Sequence, residues 1–117
     1  MSRPALDDLI AGVELRDSAL ALIDYNAMAR RLTLRFQPTD AERPGIVTLI
    51  FDSVVGLHCA PQDSLRALEP SEGATIDRLD ARRRKTGETE MTFVYLRGEG
   101  RTPCVVSFSA QEGRWLG

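Results

Sequence analysis

The residues with the widest chemical repertoire in this chain are one histidine, His58, and two cysteines, Cys59 and Cys104. A thiol nucleophile needs a base within hydrogen-bond reach to activate it, and an imidazole beside a cysteine is the one such combination on offer. His58 and Cys59 are sequence neighbours, and neighbours in an extended strand point to opposite faces, so a dyad between them requires a bend in the chain. Cys104 approaches His58 only through the fold. These residues read as a partly buried histidine beside a core cysteine. Three soft donors so widely spaced fall short of the three or four converging ligands that hold zinc, so no metal is expected. The glycines lie neither before a phosphate-loop Lys-Ser pair nor in a dinucleotide pattern after a strand, so no nucleotide or other cofactor is expected. The paired carboxylates Asp7 and Asp8, Asp77 and Asp80, and Glu88 and Glu90 read as solvated surface. The chain is therefore expected not to be an enzyme, with a small enzyme using His58 and Cys59 kept as an alternative.

The densest charge feature is Arg82-Arg83-Arg84-Lys85, followed by Thr86-Gly87, with Arg78 on the same strand face as Arg82 and Arg84. Such a run at a hairpin tip either lies solvated among Asp77, Asp80 and Glu88 or meets a partner. Seventeen acidic residues against fifteen basic ones leave a net charge of −2, and no aromatic interleaves with the arginines. No global field draws the chain to nucleic acid, so an acidic protein surface, which arginine forks grip bidentately, is the better partner. Tyr95 and Trp115 are amphipathic aromatics of the kind interfaces enrich. The candidate partner-binding surface is thus Arg78, Arg82, Arg83, Arg84 and Lys85 with Tyr95 and Trp115. A partner with a basic active site would instead suit the acidic residues Asp7, Asp8, Glu14 and Asp17.

The elements that must position these residues belong to a single β-rich domain over 1–117, since 117 residues are too few for two ordinary cores. The longest uninterrupted apolar stretches are about five residues, far below a membrane span. Acids at Asp7 and Asp8 interrupt the apolar region a signal peptide needs, so a cytoplasmic location and reduced thiols are expected. Period-two alternation, clearest at 31–37, with turn signals marks strands there and at 75–83, 90–97 and 102–109; a short apolar run marks another at 18–23, and 45–51, apolar on both faces, reads as a central strand covered from two sides. Residues 24–28 supply a hairpin loop, 98–101 a glycine-rich one, and 54–59 continue the apolar character with Gly56 permitting a bulge. Leu6, Leu9, Ile10 and Val13 follow helical spacing between Pro4 and Gly12, which predicts a short N-terminal helix, and 61–68 allow another helical turn or two. The expected fold is mainly β: an antiparallel sheet of about six strands curled into a sandwich or partial barrel. Its expected core is Leu20, Leu22, Leu32, Leu34, Phe36, Val47, Leu49, Phe51, Val106 and Phe108, with Trp115 folded back on the sheet or exposed as an anchor.

Leu15-Arg16-Asp17-Ser18 before the first hairpin, and Phe51-Asp52-Ser53-Val54 at the end of the third strand, resemble elements of small bacterial β-rich immunity proteins of polymorphic toxin systems. The resemblance covers about a third of the chain and departs from the pattern at Gly73-Ala74-Thr75-Ile76, which lacks a preceding tryptophan. It implies a cytoplasmic module that binds and neutralises a toxin without chemistry of its own. A protein partner, a toxin domain by that resemblance, is therefore expected, with no nucleic acid and no membrane; a homo-oligomeric structural subunit, a homodimer for example, is the other arrangement left open.

Overall fold

A computed structural model describes residues 15–38, 45–60 and 73–116. The expected helix near 4–12, the turn at 61–68 and the acids Asp7, Asp8 and Glu14 lie outside these residues. The described chain forms eight strands: β1 (Ala19–Asn26), β2 (Arg31–Gln37), β3 (Val47–Asp52), β4 (Val55–Ala60), β5 (Thr75–Arg83), β6 (Thr89–Arg97), β7 (Thr102–Ala110) and β8 (Glu112–Leu116). They make one antiparallel sheet in the order β4-β7-β6-β5-β1-β2-β3-β8, which is not closed edge to edge. No helix occurs among the described residues. The cause is visible in the stripes: Leu32, Leu34 and Phe36 in β2, Met91, Phe93 and Tyr95 in β6, and Cys104, Val106 and Phe108 in β7 all point inward and are buried.

Eight strands replace the expected six because two long extended runs bend in the middle. Ser53, with φ at +57°, and Val54 separate β3 from β4; Gln111 separates β7 from β8. The bent runs pair with each other on both sides of the corner, Asp52 opposite Glu112 and Val55 opposite Ser109, with an unchanged offset. One double-stranded ribbon therefore passes from the half made of β1, β2, β3 and β8 into the half made of β5, β6, β7 and β4. On the concave side of the bend the rings of Phe51 and Phe108 meet edge to face, centroids 5.2 Å apart. Elsewhere the halves join at a narrow seam, where Ala19 of β1 faces Thr75 of β5. The Leu20 N–H donates to the Ala74 carbonyl and the Ile76 N–H to that of Ser18, each at 2.9 Å. Ser18 Oγ and Thr75 Oγ1 are buried at this seam without hydrogen-bond partners, which weakens it further.

The expected core holds with one exchange. Leu22 is only partly buried, and Ile23 is fully buried in its place. A bulge between Leu20 and Leu22 inserts an extra residue opposite β2, so Leu20 faces Phe36 while Ile23, and not Leu22, faces Leu34. The alternation is shifted by one from there on, which also turns Tyr25 toward the core. The first hairpin is tighter than expected: Asp24 and Tyr25 remain in β1, and the turn begins at Asn26, whose Oδ1 accepts the Ala29 N–H at 3.2 Å. Truncation of Phe51 or Phe108 to alanine is expected to cost about 3 to 5 kcal/mol. Ile23→Ala should cost clearly more than Leu22→Ala, and urea unfolding of the two variants checks the bulge.

Candidate functional site

The basic run is brought together at the end of the β5–β6 hairpin. A bulge between Ile76 and Arg78 resets the alternation of β5, after which Arg78, Asp80 and Arg82 are exposed and Leu79 and Ala81 turn inward. Arg82 stands opposite Glu90 and Arg83 opposite Thr89. The turn is held by the Arg84 N–H on the Glu88 carbonyl at 2.8 Å and the Gly87 N–H on the Arg84 carbonyl at 3.1 Å. Gly87 has φ at +95°, which an L side chain rarely adopts. Much of the basic charge is locally balanced: Arg78 Nε lies 3.2 Å from Asp80 Oδ2, and the Arg84 guanidinium binds the Glu90 carboxylate. That hydrogen bond and the charge of Glu90 raise the Arg84 pKa; desolvation opposes them, and the charge of Glu88 adds a lesser contribution in the same upward direction. Lys85 is exposed in the turn.

Tyr95 does not belong to this surface. It is 0% exposed, one residue beyond Phe93 on the same inward stripe, with the two rings 5.8 Å apart, and it stands opposite Cys104. Both faces of β6 are apolar: on the opposite face Val94 is also buried, between the partly buried Thr92 and Leu96. Trp115 is half-buried in β8, opposite Leu49, with its ring edge-on to Phe36 at 5.9 Å. It folds back on the sheet in the other half of the molecule from the β5–β6 hairpin. The candidate surface thus contracts to Arg78, Arg82, Arg83, Arg84 and Lys85.

His58 is exposed on β4, opposite Ser107, rather than partly buried. Cys59 turns the other way and packs half-buried against the core, where desolvation pushes its thiol pKa up. An activated thiol requires the opposite shift. Cys104 is the fully buried cysteine, its thiol 3.8 Å from the Thr102 carbonyl. Both cysteines are free. They face inward on paired strands, one diagonal step apart, because Cys59 stands opposite Val106. No group of three or more His, Cys, Asp or Glu side chains that could hold a metal occurs among the described residues. Asp17, the one described member of the acidic alternative, sits exposed in a turn with φ at +66°, its N–H donating to the Ile76 carbonyl at 2.8 Å.

A feature the sequence did not suggest lies on the outside of the ribbon corner: a pocket of about 250 Å³ lined by Arg30, Ser53, Val55, Glu88, Ser109, Ala110 and Gln111. Its residues come from four separate stretches of chain and form no motif. Beside it, Asp52 is bracketed by Arg31 Nε at 2.9 Å and Arg114 Nη1 at 3.7 Å, which ties β2, β3 and β8 together.

No protein-family model and no curated protein matches the chain. Among solved structures, the crystal structure of an uncharacterized protein from Neisseria gonorrhoeae is similar, with a TM-score of 0.52 and 14% identity. The match covers 89% of this chain and 94% of that one. At that identity the likeness concerns the fold alone.

Thiol chemistry checks this geometry. Alkylation of Cys59 in the folded chain is expected to rise with pH along a curve displaced above that of an ordinary thiol. Cys104 should react only on unfolding, and an equal, fast reaction of both thiols at neutral pH would contradict the burial.

Proposed function

We propose that this chain is a non-enzymatic, cytoplasmic protein-binding module, an immunity protein that binds and neutralises a cognate bacterial toxin. The observation that carries the reading is the β5–β6 hairpin end, where Arg82, Arg83 and Lys85 are exposed beside the ion-paired Arg78 and Arg84. Arginine is enriched at interfaces and pairs bidentately with carboxylates, so this end suits an acidic patch on the toxin. A hairpin whose turn is fixed by its own backbone hydrogen bonds loses little conformational freedom on docking, which favours recognition by a preformed surface. The resemblance of 15–18 and 51–54 to immunity proteins points the same way.

The homo-oligomeric alternative draws on a different feature, the sheet ends β4 and β8, whose outer edges carry no partner strand among the described residues. The enzymatic alternative is not favoured by the geometry, with His58 and Cys59 on opposite faces and the Cys59 thiol pKa raised.

The reading is tested by co-expressing the chain with the toxin-like reading frame adjacent to its gene and by measuring association of the purified pair. Protection of the cells and a stable complex are expected. Reversal of Arg82, Arg83 and Lys85 to glutamate, which leaves the Arg84–Glu90 pair in place, should slow association several-fold and weaken its salt dependence. Absence of both protection and binding would overturn the toxin reading, and an unchanged on-rate would exclude this surface.

A further inference from the structure

The pocket at the ribbon corner combines features that a purely structural corner does not need. Its walls come from the ends of two hairpins, Arg30 closing the β1–β2 turn and Glu88 closing the β5–β6 turn, so one basic and one acidic residue line the same small space. The neighbouring charges are already held: Arg31 and Arg114 by Asp52, and Glu90 by Arg84. Neither Arg30 nor Glu88 makes an ion pair among the described residues. The same space is lined by Ser53, Ser109 and Gln111, residues with hydrogen-bonding groups, and by the exposed Val55, while Ala110 reaches it from the buried core.

The walls are preformed. The Val54 N–H donates to the Arg30 carbonyl at 2.9 Å, and the Gln111 N–H to the Asp52 carbonyl at 3.4 Å, so the hairpin end and both bent strands are tied at the pocket. Arg30 and Ser53 both hold left-handed backbone conformations, φ +51° and +57°, and they are two of the four described non-glycine residues that do so. Arg30 holds its conformation as the last residue of the β1–β2 turn and Ser53 as the corner residue, so the fold fixes both walls before a ligand arrives. Pockets for drug-sized ligands run from about 300 to 1,000 Å³, so a space of about 250 Å³ suits a smaller molecule.

We infer that this pocket binds a small zwitterion of the amino-acid class, its carboxylate on Arg30 and its amine on Glu88. The hydroxyls of Ser53 and Ser109 and the Gln111 amide take the remaining hydrogen bonds, and Val55 bounds the ligand's carbon chain. A ligand with one charge would engage only one of Arg30 and Glu88, whose own charge otherwise acts on Arg84, and discrimination follows from that difference. This site shares the β5–β6 turn, at Glu88, with the hairpin surface proposed to meet a toxin, but its ligand is different and its test needs the chain alone.

The test is an amide NMR titration of the purified chain with glycine and 4-aminobutanoate. Butanoate and butylammonium serve as single-charge controls at matched ionic strength. The zwitterions should shift the amides of Arg30, Ser53, Ser109 and Gln111 saturably at millimolar concentration, and the single-charge controls at least several-fold less. The contrast between glycine and 4-aminobutanoate reads the spacing of the two charged walls. Arg30→Gln and Glu88→Gln should each abolish the saturable shifts while the rest of the spectrum stays folded. Ser109→Phe, which fills the pocket without removing a charge, should do the same. Shifts that survive all three substitutions, equal responses to zwitterion and single-charge compounds, or no saturable response at the pocket would each overturn the inference.

Discussion

The fold depends on two paired strands bending together. A flat antiparallel sheet of this composition would bury one face against nothing; turning the β3–β4 and β7–β8 ribbon through a corner brings the inner stripes of both halves onto one core. The bend requires Ser53 in a left-handed conformation and a single residue, Gln111, between β7 and β8. It is filled on the inside by Phe51 against Phe108, and braced on the outside by Asp52 between Arg31 and Arg114. The pairing keeps its offset through the corner itself, from Asp52 opposite Glu112 to Val55 opposite Ser109, and shifts by one only beyond it, between Val55 and His58. The narrow β1–β5 seam can be weak because this ribbon already joins the halves.

Most of the strands were legible because each needs only an alternation and two turn signals. β5 was read with the same limits as observed, and β2, β6 and β7 to within a residue or so, since their inward stripes are unbroken. What escaped were other displacements of that alternation, although the bulge allowed at Gly56 is present between Val55 and His58. The bulge in β1 exchanges Leu22 for Ile23, and no local residue type announces it; its cause is the pairing with β2 and the seam with β5. The corners at Ser53 and Gln111 escaped likewise, because an extended run that bends looks the same in sequence as one that ends. β8 holds only five residues with Gly113 inside, too little period for a pattern.

The candidate site divides on the same lines. The arginine run was legible because it is contiguous and a hairpin keeps contiguous residues together. Tyr95 was misplaced because both faces of β6 are apolar enough to be buried, and the sequence cannot say which one meets solvent. The corner pocket was not legible at all, since Arg30, Ser53, Glu88 and Ser109 are assembled by register and not by spacing. His58 shows the complementary error: a residue suspected for its chemistry lies exposed on the outer side of β4, opposite a serine.

The interleaving of the two halves has a consequence for synthesis. The half built on β1, β2 and β3 waits for β8, and the whole of the other half, β4 to β7, is made in between. While the nascent chain grows, the edge of β3 that β8 will cover stands open, with Leu49 and Phe51 on its inner face still lacking their final neighbours. Strand edges of this kind recruit other chains during vectorial folding. A stall of the ribosome between β3 and β8 would therefore hold the chain in the state most prone to mispairing, whatever the stability of the finished fold.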